Sequence, residues 1–145
     1  MSRLTWIAAD MPAYNFMARF APLVESGEKH QTIRQTDKGA KPGDTAYLYT
    51  GQRTKQCRKL GEGTITGVRE IEIMKSYYGE IWALIAMPPN GHSVAIKKHG
   101  LDALAKADGF ANGKEMVAWF EQRYGLPFCG YLHEWKLLDK PKETP

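Results

Sequence analysis

One short segment of the chain combines side chains that could do chemistry together. It runs from Ser26 to Arg34 and lies where the residue pattern changes from helix to strand. If residues 30–34 are extended, the two-residue period of a strand places His30, Thr32 and Arg34 on one face. Lys29 stands at the entrance to this strand, so that an ammonium, a hydroxyl, an imidazole and a guanidinium converge. The alternative is an exposed polar strand face that binds nothing.

The positive charge of the chain is concentrated around this segment. Of 145 residues, 20 are Lys or Arg and 16 are Asp or Glu, which gives a formal charge of +4. Between Lys29 and Lys59, the basic window, eight basic residues stand against two acidic ones, so this window carries +6 and the remainder −2. Such a stretch on a slightly acidic body is typical of proteins that bind polyanions. The alternative is a solvated face that only aids solubility.

Aromatic residues lie among these cations. Tyr47 and Tyr49 are two positions apart, so they share one face of a predicted strand, which is either core or cleft. Rings interleaved with cations are what stacking on unpaired bases requires, and the pattern therefore favours single-stranded nucleic acid. The predicted ligand-binding residues are the cationic and aromatic side chains of this region: His30, Arg34, Tyr47, Tyr49, Arg53, Lys55 and Arg58.

The rest of the chain supplies the elements that must position these residues. Its pattern predicts the order β-α-β-β-β-β-α-α-β, with strands at 4–9, 31–35, 45–50, 61–73, 80–87 and 128–138 and helices at 15–27, 100–110 and 113–124. Short strands separated by turns favour an α+β fold, a small mixed β-barrel with flanking α-helices. We expect one domain over residues 1–138 and a flexible tail over 139–145, where two prolines lie among charges.

The sequence lacks the motifs that mark several common classes of enzyme and binding site. There is no phosphate-binding loop, serine-hydrolase elbow, metalloprotease helix or dinucleotide fingerprint. The four histidines are scattered without metal-ligand spacing, so we expect neither a metal nor a cofactor. No apolar stretch approaches the ~18 residues of a membrane span, and we expect no membrane partner. Cys57 and Cys129 lie far apart and are expected to be reduced, buried thiols of a cytoplasmic protein.

The segment around Lys29 also resembles a known family. The pattern Gly27-x-Lys29-x-x-Thr32-Ile33-Arg34, followed by Lys41-Pro42-Gly43-Asp44, is similar to the opening motif of the ASCH family, a branch of the PUA-like superfamily. Two later pieces resemble the family's remaining blocks. Ala105-x-Ala107-Asp108-Gly109-Phe110 is similar to its second block, and Trp119-Phe120 followed by Tyr124-Gly125 and a closing strand through Trp135 is similar to its C-terminal end. The resemblance covers residues 15 to 137, nearly the whole chain.

This resemblance implies a fold and a class of partner. PUA-like domains have a β-barrel with flanking helices and a cleft between them, and they generally bind RNA or modified nucleobases. Some ASCH proteins are small amidohydrolases that remove the acetyl group from N4-acetylcytidine, and others are single-strand nucleic-acid binders or ribonucleases. Compared with the minimal enzymes, this chain has extra residues around Gln52–Leu60 and Ile73–Gly79, which leave room for a different substrate.

The resemblance also implies catalytic residues, namely Lys29, Thr32 and, where the family has Glu, Asp108. In that chemistry a threonine hydroxyl attacks once a base takes its proton. Lys29 is such a base if burial or a nearby cation such as Arg34 lowers its pKa, and a carboxyl group protonates the departing amine. Asp is one methylene shorter than Glu, which changes its reach. Alternatively, Arg34 holds a carbonyl or phosphate oxygen, and Asp108 caps or links two helices around Gly109.

Two main functions follow. The primary hypothesis is an RNA- or modified-nucleoside-binding ASCH/PUA-like module that recognises single-stranded nucleic acid or a nucleobase in a basic cleft. The alternative is an amidohydrolase that deacylates N4-acetylcytidine-type nucleosides. A ribonuclease ranks below both, because the sequence offers no convincing pair of histidines for acid–base catalysis.

Overall fold

A computed structural model describes residues 12–87 and 92–139 of the chain. Within these residues it has seven strands and three helices. In chain order they are β1 (Ala13–Phe16), α1 (Ala21–Ser26), β2 (Gln31–Arg34), β3 (Thr45–Thr50), β4 (Arg58–Lys75), β5 (Ile81–Met87), β6 (His92–Lys97), α2 (Lys98–Ala107), α3 (Gly113–Tyr124) and β7 (Phe128–Leu137). The predicted strand at 4–9 and most of the predicted tail lie outside the described residues.

The strands form one mixed sheet. Its order is β1-β3-β4-β5-β6, and β7 pairs with both β4 and β2. The β1–β3 pair is parallel, whereas the β3–β4, β4–β5 and β5–β6 pairs are antiparallel. The predicted α+β class, a mixed sheet with flanking helices, is confirmed. The predicted barrel is wrong for the described residues, because the unpredicted strand β6 extends the sheet beyond β5 and the path does not close on itself.

Contacts divide the chain into two compact units. The first unit contains residues 12–30, 38–67 and 134–139. In it, β1 pairs with β3 in the register Ala13↔Tyr47, and β3 pairs with the first part of β4 in the register Thr45↔Thr64. Its core is formed by buried aromatic and aliphatic side chains, among them Tyr14, Phe16, Val24, Leu48, Leu60, Ile65 and Trp135.

The second unit contains residues 31–37, 68–87 and 92–133. The last part of β4 pairs with β5 in the register Ile71↔Ile85, and β5 pairs with β6 in the register Ala83↔Ile96. Its core consists of apolar side chains from strands and helices, among them Ile71, Ile73, Ala83, Leu101, Met116, Phe120 and Leu132. The prediction of one domain over residues 1–138 stays a prediction.

Helix α3 has the predicted bounds. Asn112 caps it, because its Oδ1 accepts a hydrogen bond from the backbone N of Glu115 at 2.8 Å. Met116, Val117 and Phe120 form its buried face, as the helical spacing predicts.

Helix α1 is shorter than predicted, and its predicted cap at Asn15 is wrong. Asn15 lies on β1, where its Oδ1 accepts a hydrogen bond from the backbone N of Gln52 at 2.9 Å. The helix begins only at Ala21, which places Pro22 in the first turn. Proline lacks the backbone N–H that the interior of a helix needs, and the first turn is where that loss costs least.

The cysteine prediction needs a correction. Cys57 and Cys129 are both free but exposed, not buried. Cys57 lies in the loop before β4, and Cys129 lies at an exposed position of β7. Among the helices described, none is long and apolar enough to cross a membrane.

Candidate functional site

Five polar or charged side chains are buried in the described part of the chain. They are Lys29, Gln31, Thr32, Asp108 and His133, each between 0% and 6% exposed. Burying such groups costs free energy unless they are paired or serve a ligand. Three of the five are the predicted catalytic residues Lys29, Thr32 and Asp108. Each is therefore held out of bulk solvent rather than lying on an exposed polar face.

Lys29 is positioned by the end of helix α1. Gly27 turns the chain with a φ of 88°, a conformation that glycine adopts without steric cost. The backbone N of Lys29 then donates to Leu23 O at 2.9 Å. Its Nζ lies 5.0 Å from the ring centroid of Phe20 and 5.7 Å from that of Phe16. The buried ammonium therefore faces two aromatic rings, an arrangement that stabilises a cation.

Trp135 lies in the same unit as Lys29 and packs on Phe16, with ring centroids 5.8 Å apart. Its backbone N donates to His30 O at 3.1 Å, which anchors the exposed His30 to the last strand. The buried indole Nε1 of Trp135 has no hydrogen-bond partner among the described residues. An unpaired buried donor costs about 1–3 kcal/mol, so this N–H is suited to an acceptor beyond those that the described residues provide.

Thr32 and Arg34 meet on strand β2. Arg34 Nε donates to Thr32 Oγ1 at 3.0 Å, the contact that the two-residue period predicts for this pair. Thr32 is buried, whereas Arg34 is partly exposed. The threonine oxygen therefore carries a cationic hydrogen bond. Such a bond holds the oxygen in place and favours negative charge on it.

Asp108 lies at the carboxyl end of helix α2. Its backbone N donates to the carbonyls of Leu104 and Ala105, both at 3.1 Å, so the backbone of Asp108 ends the helix, as the alternative reading expects. The side chain of Asp108 makes a separate contact, in which its Oδ1 accepts a hydrogen bond from Gln31 Nε2 at 3.4 Å. The same amide nitrogen donates to Leu104 O at 3.3 Å. The carboxylate is thus fixed against the residue that precedes Thr32.

Sequence reasoning missed Gln31 as a candidate. A glutamine at the start of a strand gives no signal of burial, and its contact with Asp108 joins positions 77 residues apart. His133 is the fifth buried polar residue. Its Nε2 lies 2.9 Å from Thr36 O, a contact that ties β7 to the segment after β2. Among the described residues, no group of three His, Cys, Asp or Glu side chains could hold a metal ion.

The cations of the basic window other than Lys29 and Arg34 are exposed, and some of them pair with acids. Arg58 forms an ion pair with Glu25 at 2.8 Å, and Lys59 pairs with Glu62. The hydrogen bond that Lys59 donates to the Glu62 carboxylate raises the pKa of Lys59 above its usual value. Arg53 and Lys55 are exposed in the loop between β3 and β4, where a φ of 67° at Arg53 forms part of a tight turn.

Tyr47 and Tyr49 are partly exposed positions of β3. They alternate with the buried residues Ala46 and Leu48, so the two rings lie on the face of the strand opposite the core. That this face lines a cleft stays a prediction. Lys59 Nζ lies 5.4 Å from the ring centroid of Tyr47. A cation and two rings therefore share one surface of the first unit.

Two cavities are lined by residues other than the predicted catalytic ones. The first, of about 480 Å³, belongs to the second unit and has Glu70, Glu72, Cys129 and Tyr131 in its wall. The second, of about 440 Å³, belongs to the first unit and is lined by Glu25, Lys59 and Leu137, among others. In the first cavity the Cys129 thiol donates to Glu72 Oε2 at 3.3 Å, and this hydrogen bond to a carboxylate raises the pKa of Cys129.

Comparisons of the chain with protein-family models, with curated proteins and with solved structures found no match.

Proposed function

We propose that the chain is an ASCH-type, PUA-like module that binds single-stranded RNA or a modified nucleoside. The observation that carries this proposal is the burial of Lys29, Thr32 and Asp108, three of the five buried polar or charged residues described. Burying a polar or charged side chain costs free energy, and side chains that bind or transform a ligand are commonly buried despite that cost. That these three are also the residues the ASCH resemblance assigns supports the proposal from a second direction.

The polar groups of the second unit suit a nucleobase. Gln31 carries an amide and Asp108 a carboxylate, and they are already hydrogen-bonded to each other. Amides and carboxylates read the donor and acceptor pattern of base edges, and a carboxylate accepts from an exocyclic amino group. A carboxylate has about four acceptor positions, so the hydrogen bond from Gln31 does not by itself exhaust Asp108.

The first unit offers groups of a different kind. The Lys29 ammonium beside Phe16 and Phe20 is a cationic donor next to apolar rings. The Nε1 of Trp135, which has no hydrogen-bond partner among the described residues, is a second donor in this unit. Cationic and N–H donors suit the carbonyl oxygens of a pyrimidine or an acyl group. The exposed Arg53 and Lys55 supply the charge that attracts phosphates.

Isothermal titration with cytidine and N4-acetylcytidine tests the proposal. Thr32→Val keeps the shape of the side chain and removes its hydroxyl, and Thr45→Val makes the same change at a partly exposed position of β3. We expect wild type and Thr45→Val to bind equally and Thr32→Val and Asp108→Asn to bind at least tenfold more weakly, about 1.4 kcal/mol. A thermal unfolding curve confirms that each variant is folded. Absence of binding to either nucleoside and to oligouridylate by the wild type would refute the proposal.

The contact between Arg34 and Thr32 favours a second candidate function, hydrolysis of the N4-acyl group. A threonine oxygen that accepts a hydrogen bond from a guanidinium loses its proton more easily. In this reaction Thr32 Oγ1 bonds to the acyl carbon and the carbon–nitrogen bond breaks. The threonine proton passes through a general base to the departing N4 amine. Water then cleaves the acyl-threonine, which releases acetate and restores the hydroxyl.

Chromatography of N4-acetylcytidine after incubation with the protein distinguishes turnover from binding. We expect cytidine to accumulate with wild type and to stay at the buffer blank with Lys29→Ala or Thr32→Val. Lys41→Ala, at an exposed position of the basic window, is the matched control and should behave as wild type. Binding of N4-acetylcytidine without release of cytidine would support the binding module and rule out hydrolysis of this substrate.

A further inference from the structure

Two adjacent tyrosines stand almost entirely in solvent at the turn between β4 and β5. Tyr77 is 97% exposed and Tyr78 is 93% exposed. Their rings meet edge to face, with centroids 5.4 Å apart and an interplanar angle of 89°. Single exposed apolar residues need no explanation, but two neighbouring aromatic rings form an apolar patch of the kind that marks interaction surfaces. Neither ring contributes to the core or to the candidate site.

The turn that carries the rings is internally braced. Ser76 N donates to Glu80 O at 2.7 Å, and Gly79 N donates to Ser76 O at 2.9 Å. The Ser76 hydroxyl oxygen accepts from the backbone N of Tyr78 at 3.2 Å and from that of Glu80 at 3.0 Å. Gly79 adopts a φ of 87°, which an L-residue adopts only with strain. The rings are therefore presented on a defined backbone, so ordering them on a partner costs little entropy.

Two lysines lie at the base of this turn. Lys97 lies opposite Trp82 in the β5–β6 register, and its Nζ is 3.6 Å from Glu80 Oε1. Lys75 lies opposite Ile81, and its Nζ is 3.3 Å from Glu121 Oε1. Exposed ion pairs contribute little free energy, so both lysines can exchange a carboxylate for a phosphate at small cost.

Two further basic residues extend this surface. Lys98 and His99, at the start of helix α2, are also exposed. Lys75, Lys97 and Lys98 thus place cationic side chains at the ends of β4 and β6 and at the start of α2, beside the aromatic turn. The combination of rings and cations matches what stacking bases and their phosphates require.

We propose that the Tyr77–Tyr78 turn is a second contact surface for single-stranded RNA, separate from the buried residues around Thr32. Bases stack on the two rings, and the neighbouring lysines bind the adjoining phosphates. Every base has a face that stacks on an aromatic ring, so this surface binds without sequence preference. Two rings flanked by charges are small for a protein–protein interface, which favours nucleic acid over a protein partner. The inference rests on the proposed function, from which it takes the class of ligand.

Fluorescence anisotropy with a fluorescein-labelled oligouridylate of ten nucleotides tests this surface. Stacking is worth about 1–3 kcal/mol per base, a factor of roughly 5 to 150 in affinity for each ring. We expect the double variant Tyr77→Ala/Tyr78→Ala to bind at least tenfold more weakly, and Tyr77→Phe/Tyr78→Phe to bind as wild type because the rings remain. Val94→Ala, at another exposed apolar position of the same unit, is the control and should not change affinity.

The outcomes separate this inference from the proposed function. Because both rings are in solvent, the alanine variants should keep the thermal unfolding temperature and the nucleoside affinity of wild type. Unchanged oligouridylate affinity in the double alanine variant overturns the inference, even if nucleoside binding stands. A wild type that binds nucleosides but no oligouridylate also overturns it. A wild type that binds neither ligand overturns both proposals.

Discussion

Arg34 donates a hydrogen bond from its guanidinium Nε to the Oγ1 of Thr32, two residues earlier on the same strand, at 3.0 Å. The side chain of Thr32 is thereby held in one orientation inside the protein. A charged donor on a hydroxyl oxygen strengthens the hydrogen bond and leaves the hydroxyl proton for a ligand or a base. This pair connects the predicted strand face with the chemistry that we propose for it.

Replacing the guanidinium tests that connection. Arg34→Lys keeps the positive charge but loses the planar fork of donors. We expect the affinity for N4-acetylcytidine to fall about tenfold, roughly 1.4 kcal/mol, in isothermal titration. Arg123→Lys, on the exposed side of helix α3, is the matched control and should leave the affinity unchanged. Equal affinity of Arg34→Lys and Arg123→Lys for N4-acetylcytidine would show that the Arg34 guanidinium does not contribute to binding.

The basic window predicts a salt dependence. Each phosphate contact contributes about 0.7 to the slope of log K against log salt for a single strand. Arg53→Gln and Lys55→Gln should each reduce the slope for oligouridylate by about that amount. Lys106→Gln, which removes an exposed lysine outside the window, should not alter the slope. Slopes identical in all four proteins would show that neither Arg53 nor Lys55 contacts a phosphate.

Substitution of Gly63 should lower the stability of the first unit. A Cβ at this position would lie 2.6 Å from Trp135 Cδ1 and 3.1 Å from the backbone O of Lys136. We expect Gly63→Ala to lower the free energy of unfolding by about 1–3 kcal/mol, because the buried indole must move. Gly67→Ala is the control on the same strand, since its nearest neighbour is the end of the Glu134 side chain at 3.4 Å. Urea denaturation measures both, and equal midpoints would contradict the packing described.

Cys129 predicts a pH-dependent reactivity. The thiol donates to Glu72, and this hydrogen bond is the main cause of its raised pKa. Because the thiolate is the reactive form, a raised pKa slows alkylation at pH 8. Glu72→Ala should accelerate reaction of Cys129 with iodoacetamide several-fold, and the advantage should shrink as the pH rises above the pKa. Peptide mass spectrometry follows each site, with Cys57 as internal control. An unchanged Cys129 rate would contradict the assigned cause.

The sequence predicts elements best where local signals suffice. Helix α3 and strand β3 have their predicted bounds, because apolar spacing and turn residues mark both ends. Strand β6 was unpredictable from such signals. Five of its six residues are exposed, so no apolar alternation marks it, and its extended form comes from pairing with β5. Likewise, Phe16 fits a helical spacing but lies in β1 beside β3. Tertiary pairing overrides local pattern in both cases.

The contacts of the candidate site also fall into those that the local sequence predicts and those that it does not. The two-residue period predicts the contact between Thr32 and Arg34 without knowledge of the rest of the fold. The burial of Lys29 and the pairing of Gln31 with Asp108 depend on partners brought together by folding. No local signal reports those contacts.

The most direct test of the account observes the Thr32 side chain itself. In protein labelled with ¹³C at the threonine methyl groups, NMR spectra recorded during titration with N4-acetylcytidine report which threonines meet the ligand. We expect a saturable shift of the Thr32 methyl signal, which is assigned from the spectrum of Thr32→Val. The chemical shift of the Thr45 methyl signal should not change. A Thr32 signal that does not move at millimolar nucleoside, in protein that is folded throughout, would contradict this expectation.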